Sequence, residues 1–467
     1  MNLKTKLLEH QQQAVNKLIN IKVGALFMEM GTGKTRTVIE FIYKRINKIN
    51  NVVYFCPVAL KESVKEELLL HTDITENDIE LYNYENKNKF IYIVGLESIS
   101  MSDKIYLIVK NIINKKTFCI VDESNYIRCI LAKRTNRIID MCLDCKYRII
   151  MTGTPMSQGV VDLYSQMKFL SPKILGYTSF YSFARNHLEY STKFKNMIVN
   201  SHNIEYIANK INPYTFSVTK KECLDLPNKI YIDRSFKLST EQYFAYEQAK
   251  EIFIEDVDKY DECNSIAIFK LFNSLQQICS GFWNKKIKKD EYKYIIFNNK
   301  RIDLLDSVIN DIPENEKIII WAKYIFDIDN IIKYIKKKYG NDSYCEYTGR
   351  INQKDRHDEI KKFRNNVKFF IATQSCGGHG LTLNESCYTI FYSNSFKYYQ
   401  RQQAEDRNHR IGQKYPVTYI NLWSATNIEN KIRSAFIKKQ DLINEFKNEI
   451  DKIKNDKTAI KNFIKGL

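Results

Sequence analysis

The stretch Met28-Glu29-Met30-Gly31-Thr32-Gly33-Lys34-Thr35 follows an apolar run, Val23 to Met28, and leads into Val38-Ile39-Glu40-Phe41-Ile42. The first run has the composition of a buried strand and the second that of a helix. Strand, glycine loop and helix in this order is the context in which a loop can hold phosphate. Glycines let consecutive backbone N–H groups turn inward on an anion at the positive end of a helix. Lys34 can then reach the β- and γ-phosphates of a nucleotide, and the Thr35 hydroxyl can join a Mg²⁺ shell. The full pattern has glycine where this chain has Met28, so the loop alone leaves nucleotide binding and an ordinary glycine turn equally open.

Working outward, the 467 residues are too many for one ordinary core and imply about two or three domains. An apolar content of 44% is ample for packed cores. The formal net charge of +18, with a pI near 9.1, makes a polyanion the first partner to consider. Because lysine, asparagine, isoleucine and tyrosine are abundant throughout, coding bias is the competing explanation of that charge. The N-terminal Met1-Asn2-Leu3-Lys4-Thr5-Lys6 lacks the apolar core of a signal peptide, and no apolar stretch approaches bilayer length. The expectation is a soluble, intracellular protein without a membrane partner. Eleven cysteines without framework spacing suit a reducing compartment. Cys142-x-x-Cys145 is the only close pair of the metal-ligand kind; with no second pair at zinc-finger spacing, buried packing is expected there.

Leu7 to Val15 reads as an amphipathic helix ahead of the loop, and Val52-Val53-Tyr54-Phe55-Cys56 as a strand stopped by Pro57. Ile91 to Val94 and Phe118 to Val121 are further apolar runs alternating with helical segments, as in βαβ units, so the fold class is α/β with parallel sheets flanked by helices. Phe118-Cys119-Ile120-Val121 ends in Asp122-Glu123-Ser124-Asn125, two carboxylates at the carboxyl end of a buried strand, where open parallel sheets bind ligands. Asp122 there can hold Mg²⁺, and Glu123 can orient and deprotonate a water attacking a γ-phosphate. Tyr147 to Met151 is another strand, ending in Thr152-Gly153-Thr154-Pro155. Val160 to Phe216 reads as appended helices and Leu238 to Ser280 as helical. A second alternating pattern begins near Ile295, with strand candidates at Lys317 to Trp321, Val367 to Ile371, Tyr388 to Tyr392 and Val417 to Leu422. The tail from Asn427 to Phe463 carries an apolar stripe of Ile428, Ile432, Phe436, Leu442, Phe446, Ile450 and Ile453, which is expected to pack on the second lobe.

Gln403 to Gln413 contains Arg407 and Arg410, three apart and so on one face if helical. If the lobes close on a nucleotide, that face can deliver arginine fingers to the γ-phosphate, worth roughly 10³ to 10⁵ in rate. The plainer alternative is a surface helix whose arginines pair with Glu405 and Asp406.

The ordered set Gln11, Met30-Gly31-Thr32-Gly33-Lys34-Thr35, Asp122-Glu123, Thr152-Gly153-Thr154-Pro155, Gly377-Gly378-His379-Gly380-Leu381 and Gln403 to Gln413 resembles the Swi/Snf-like ATPases of helicase superfamily 2. The resemblance runs from about residue 7 to about 425. It implies two RecA-like lobes with ATP in the cleft between them and double-stranded DNA across both. By position it makes Gln11 a reader of adenine, Met30 to Thr35 the phosphate and Mg²⁺ cradle, Asp122 the second Mg²⁺ ligand and Glu123 the base. Arg407 and Arg410 become the fingers, with Gln403 on the same helix facing the cleft. Thr152, Gly153 and Thr154 couple the lobes, and Pro57, Gly95, Thr373, Gly378 and Gly380 mark loops near the DNA backbone. Asn125 stands where the family usually has His, Thr382 where it has Asn and Val64 where it has Trp. Hydrolysis is expected to survive these departures, and coupling to DNA is what Asn125 puts in question.

The expected division is lobe one over 1–225 with a helical insertion at about 160–216, a linker and helical insertion over 226–294, lobe two over 295–425 and a helical tail over 426–467. No reader domain is visible, so the expectation is a monomeric bare motor, targeted by a protein partner if at all. A strand-separating helicase on forked DNA, a silent DNA-binding scaffold and RNA as the polymer remain as alternatives.

Overall fold

The computed structural model describes the chain except for residues 83, 85–87, 157–158, 191–197, 260–264, 289–290, 378–380 and 439–456. The chain divides into two compact units, Met1–Asp225 and Leu226–Leu467. Among the described residues no helix is long and apolar enough to cross a membrane.

The first unit is built on β1 (Val23–Met28), β2 (Asn51–Cys56), β3 (Ile79–Glu80), β4 (Ile91–Gly95), β5 (Thr117–Asp122) and β6 (Tyr147–Met151). A hairpin of β7 (Leu188–Tyr190) and β8 (Ile198–Ser201) precedes β9 (Thr215–Val218). The main sheet has the order β3-β4-β2-β5-β6-β1-β9, with every pairing parallel. Because strand side chains alternate between faces, Val53 and Phe55 of β2 enter one core, with Val121 and Ile150, while Val52, Tyr54 and Cys56 enter the other. Burial on both faces explains why these strands are continuous apolar runs. The segment expected to be only helical holds helices at Val161–Leu170, Phe180–His187 and Ile204–Ile211, and also the β7–β8 hairpin. Helical periodicity does not register such short, half-exposed strands.

The second unit contains β10 (Lys229–Phe236), β11 (Phe282–Lys288), β12 (Glu291–Ile296), β13 (Ile318–Ala322), β14 (Tyr344–Tyr347), β15 (Phe369–Thr373), β16 (Tyr388–Phe391) and β17 (Val417–Ser424). Its six-stranded sheet runs β10-β17-β16-β13-β15-β14, again all parallel, and β11–β12 forms a separate antiparallel hairpin. The sheet therefore takes in β10, from the segment expected to be a linker and helical insertion. Ile230 to Ser235 are exposed, and β10 is an edge strand paired only with β17, so it lacks the apolar signature of its neighbours. The tail packs as expected where it is described: Ile428, Ile432, Ile460 and Ile464 share a core with Leu271, Leu275 and Trp423. Leu442, Phe446, Ile450 and Ile453 lie outside the described residues.

Candidate functional site

In the first unit β5, β6 and β1 are adjacent, and their registers set Asp122 level with Met151 and Met151 level with Leu26. The acidic pair, the Thr152–Pro155 segment and the glycine loop thus leave the sheet side by side at its carboxyl edge.

The loop turns through two left-handed glycines, Gly31 at φ 78° and Gly33 at φ 80°, a region costly for any residue with a Cβ. Gly33 is the N-cap of α2 (Lys34–Arg45), whose first turn carries no acidic residue and whose N-terminus receives no side-chain cap. A twelve-residue helix opening this way leaves its first N–H groups and positive end for an anion. Lys34 Nζ donates to the carbonyls of Met28 (3.1 Å) and Glu29 (3.4 Å), so the ammonium lies over the loop. Thr35 follows in the first turn, half-buried.

Gln11, on α1 (Glu9–Leu18), braces the loop. Its Nε2 donates to Thr32 O (3.1 Å) and Gly33 O (3.4 Å), and its Oε1 accepts the Leu8 N–H (2.9 Å). A ring nitrogen of His10 is 2.8 Å from the same Thr32 carbonyl. The loop base is tied by Lys220 N–H donating to Glu29 Oε2 (2.7 Å).

Asp122 and Glu123 are both buried. Asp122 Oδ2 accepts from Tyr54 Oη (3.1 Å) and Oδ1 from the Glu123 N–H (2.8 Å). Burial, and then the neighbouring Glu123 charge, push the Asp122 carboxyl up to about 7, while Lys34 pulls it down. A cation beside this carboxylate would relieve that cost. Glu123 has φ 49°, and only it and Asn203 take a positive φ among described non-glycine residues. Its Oε2 is buried without a hydrogen-bond partner. A strained backbone that aims an unpaired carboxylate oxygen is the arrangement expected of a group held for chemistry. The donor set therefore fits a nucleotide with its divalent ion: amides and an ammonium for phosphate, and a hydroxyl and a carboxylate for Mg²⁺.

Thr152 is buried, and its Oγ1 accepts the Thr154 N–H (3.1 Å). At Gly153 an added Cβ would stand 3.2 Å from Met30 N and 3.5 Å from Met28 O, so this segment packs directly on the loop. Gln166, which the sequence reading missed, joins the pieces. It accepts from Ser124 Oγ (2.6 Å) and donates to Pro155 O (2.9 Å) and Asp162 O (2.8 Å). Tyr54 was missed as well, hidden in an apolar strand. Neither residue carries a local sequence signal, because each acts on a partner far along the chain. Asn125 Oδ1 is buried without a partner. Val64, in helix Lys61–His71, is core.

Pro57 follows β2 and Gly95 ends β4, and Cys56 and Gly95 are register partners, so both lie at the same carboxyl edge. A Cβ on Gly95 would meet Val58 Cγ2 at 2.5 Å.

In the second unit the helix Tyr398–Glu405 contains Gln403 but stops before the arginines, which corrects the helical reading of Arg407 and Arg410. Beyond it Asn408 Nδ2 donates to Ser386 O (3.2 Å) and Gln413 Nε2 to Asn408 O (3.1 Å). The two guanidinium groups still converge, with Arg407 Nη1 (3.3 Å) and Arg410 Nη1 (3.1 Å) both donating to Leu381 O. Arg407 Nε also donates to Gln403 O (2.9 Å). Glu405 pairs with Arg401 (2.8 Å) and Lys229 (3.0 Å). Thr373 ends β15 with its Oγ1 buried and unpartnered. Gly378 and Gly380 lie outside the described residues.

Residues 10–282 match the family model of the SNF2-related domain, and residues 300–412 that of the helicase conserved C-terminal domain. An "Uncharacterized ATP-dependent helicase" of Mycoplasma pneumoniae is 24% identical over 460 residues, covering 94% of this chain and 42% of the relative. The ISWI chromatin-remodeling complex ATPase ISW2 of Saccharomyces cerevisiae is 23% identical over 460 residues, covering 91% and 40%. The chain thus spans about two fifths of these relatives. The Sulfolobus solfataricus SWI2/SNF2 ATPase core in complex with dsDNA aligns with TM-score 0.43 and 23% identity, over 99% of this chain and 96% of that one.

Proposed function

Since the chain belongs to the Swi/Snf-like ATPases of helicase superfamily 2, we propose that it hydrolyses ATP with Mg²⁺ and uses the energy to move along double-stranded DNA, remodelling DNA or the proteins bound to it. The observation that carries the reading is Glu123, buried, left-handed and with an unpartnered Oε2, one residue beyond a carboxylate that burial has raised. Such a group is poised to take a proton from water.

In this reading the Gly31–Gly33 amides and the α2 terminus hold the β- and γ-phosphates. Lys34 Nζ leaves the Met28 and Glu29 carbonyls for phosphate oxygens. Glu123 orients a water; its oxygen bonds to the γ-phosphorus, the bond to the bridging oxygen breaks, and the water proton passes to Glu123. Thr35 and Asp122 would hold Mg²⁺, which when bound supplies neutralisation of phosphate charge. Arg407 and Arg410 are assigned to stabilise charge in the transition state. Gln11 sets the loop and reads adenine once the loop carbonyls release its amide. Gly153 and Gln166 relay the nucleotide state from the loop to the acidic segment, and Gln403 takes part in coupling.

The net charge of +18 suits a polyanionic track, duplex DNA in this reading, and Pro57, Gly95, Thr373, Gly378 and Gly380 are assigned to its backbone. The deciding experiment pairs ATP turnover with strand displacement on forks. Turnover stimulated by duplex DNA without displacement of a long strand is expected. Processive displacement would replace translocation by strand separation, and stimulation by RNA alone would replace the track.

A further inference from the structure

The cysteines bring together something the sequence spacing did not reveal. Cys119 lies on β5, Cys142 is the last residue of helix Lys133–Cys142, and Cys145 lies in the connection to β6. Their sulfurs all lie within 4.8 Å of one another, with Cys119 and Cys145 3.3 Å apart. Cys119 and Cys142 are wholly buried and Cys145 is 3% exposed. Among the described residues this is the one group of three or more potential ligands.

We propose that Cys119, Cys142 and Cys145 form a structural zinc site in the first unit, with the Asn114 carbonyl completing a tetrahedron. The distances carry the assignment. A zinc ion about 2.3 Å from each thiolate places tetrahedral sulfurs about 3.8 Å apart, inside the spread found here. With an oxygen ligand at about 2.1 Å, the tetrahedral sulfur-to-oxygen separation is about 3.6 Å. The Asn114 carbonyl oxygen accepts the Cys145 thiol at 3.6 Å, alongside the Thr117 N–H at 2.9 Å.

Charge supports the same choice. Three thiolates around Zn²⁺ carry one net negative charge, and a buried charge needs a partner. Arg148, the register partner of Cys119 on β6, supplies it. Its Nη1 donates to the carbonyls of Cys142 (2.9 Å) and Leu143 (3.1 Å), which pins the guanidinium to the cysteine-bearing connection, and its Nε is buried without a partner. Cu⁺ with the same three thiolates would leave two negative charges against one arginine. Binding exchanges three thiol protons for one Zn²⁺ and involves no redox step. The ion would tie β5 to the connection before β6, fixing the root of the strand that ends in Asp122.

The test uses the full chain, purified under reducing conditions without a metal-chelating tag, and measures zinc by mass spectrometry of the digested protein. One zinc per chain is expected, falling to background in Cys119→Ser and Cys142→Ser and unchanged in Cys129→Ser, which alters an exposed cysteine elsewhere. Should the buried variants fail to fold, the wild-type chain stripped with chelator is titrated with Co²⁺. Thiolate-to-cobalt charge-transfer bands saturating at one equivalent are expected. No zinc with no cobalt bands overturns the proposal, as does a Cys119–Cys145 disulfide seen as two lost thiols in the intact mass.

Discussion

Gly33→Ala isolates the mechanical coupling between Gln11 and the phosphate loop. The added Cβ would stand 2.2 Å from Gln11 Nε2, and the backbone holds φ at +80°. Left-handed backbone costs a residue with a Cβ about 1–2 kcal/mol. The clash expels the Gln11 amide from the Thr32 and Gly33 carbonyls, losing hydrogen bonds worth about 1 kcal/mol each. Gly33→Ala should therefore cost about 3–4 kcal/mol in the loop-closed state. Gln11→Ala, which loses these two bonds and the one from the Leu8 N–H, should cost about 2–3 kcal/mol. Both variants lose the two loop bonds, so Gln11→Ala/Gly33→Ala should cost about 2 kcal/mol less than the sum of the single variants. The assay is a double-mutant cycle on urea unfolding of the nucleotide-free chain. Additive costs, or a Gly33→Ala chain as stable as wild type, would refute the geometry.

Three further outcomes follow from single contacts. Tyr54→Phe removes the hydroxyl that donates to Asp122 Oδ2, so the Mg²⁺ concentration for half-maximal turnover should rise about tenfold, as expected for roughly 1.4 kcal/mol; an unchanged Mg²⁺ dependence would sever Tyr54 from the site. Gly95→Ala drives a Cβ into Val58 Cγ2 and Ser98 Oγ, and should lower stability in urea by about 1–3 kcal/mol, with Val58→Ala restoring part of it; full stability of the single variant would contradict that packing. Lys323 is lowered to about 7 chiefly by burial, below the ordinary lysine value, so between about pH 7 and pH 10 the unfolded chain binds one more proton than the folded one. Unfolding free energy should rise with pH across that window by up to about 1.4 kcal/mol per unit, and urea titrations of Lys323→Met should lack this slope.

Local chemistry made the strands and the phosphate loop readable. Val23 to Thr35 and Phe118 to Glu123 combine an uninterrupted apolar run with residues that have few other uses at its end. What escaped depends on partners distant in the chain. Tyr54 meets Asp122 across 68 residues and Gln166 meets Ser124 across 42, and neither spacing leaves a pattern. Arg407 and Arg410 read as helix because a three-residue spacing fits a helix face, while the bonds that tie Asn408 to Ser386 and Gln413 to Asn408 form only in the folded second unit. The edge strand β10 was hidden by its exposure. The Cys142–Cys145 pair was legible, but Cys119 reaches it only through the β5–β6 pairing.

The most direct test is steady-state ATP hydrolysis by the purified chain, without nucleic acid and with duplex DNA at two salt concentrations, beside Glu123→Gln. Turnover that duplex DNA stimulates, that weakens as salt rises and that is abolished in Glu123→Gln while nucleotide still binds is the result predicted. Turnover that persists in Glu123→Gln, or no hydrolysis by the wild-type chain under any condition, would contradict the assignment of Glu123 as the base and with it the motor.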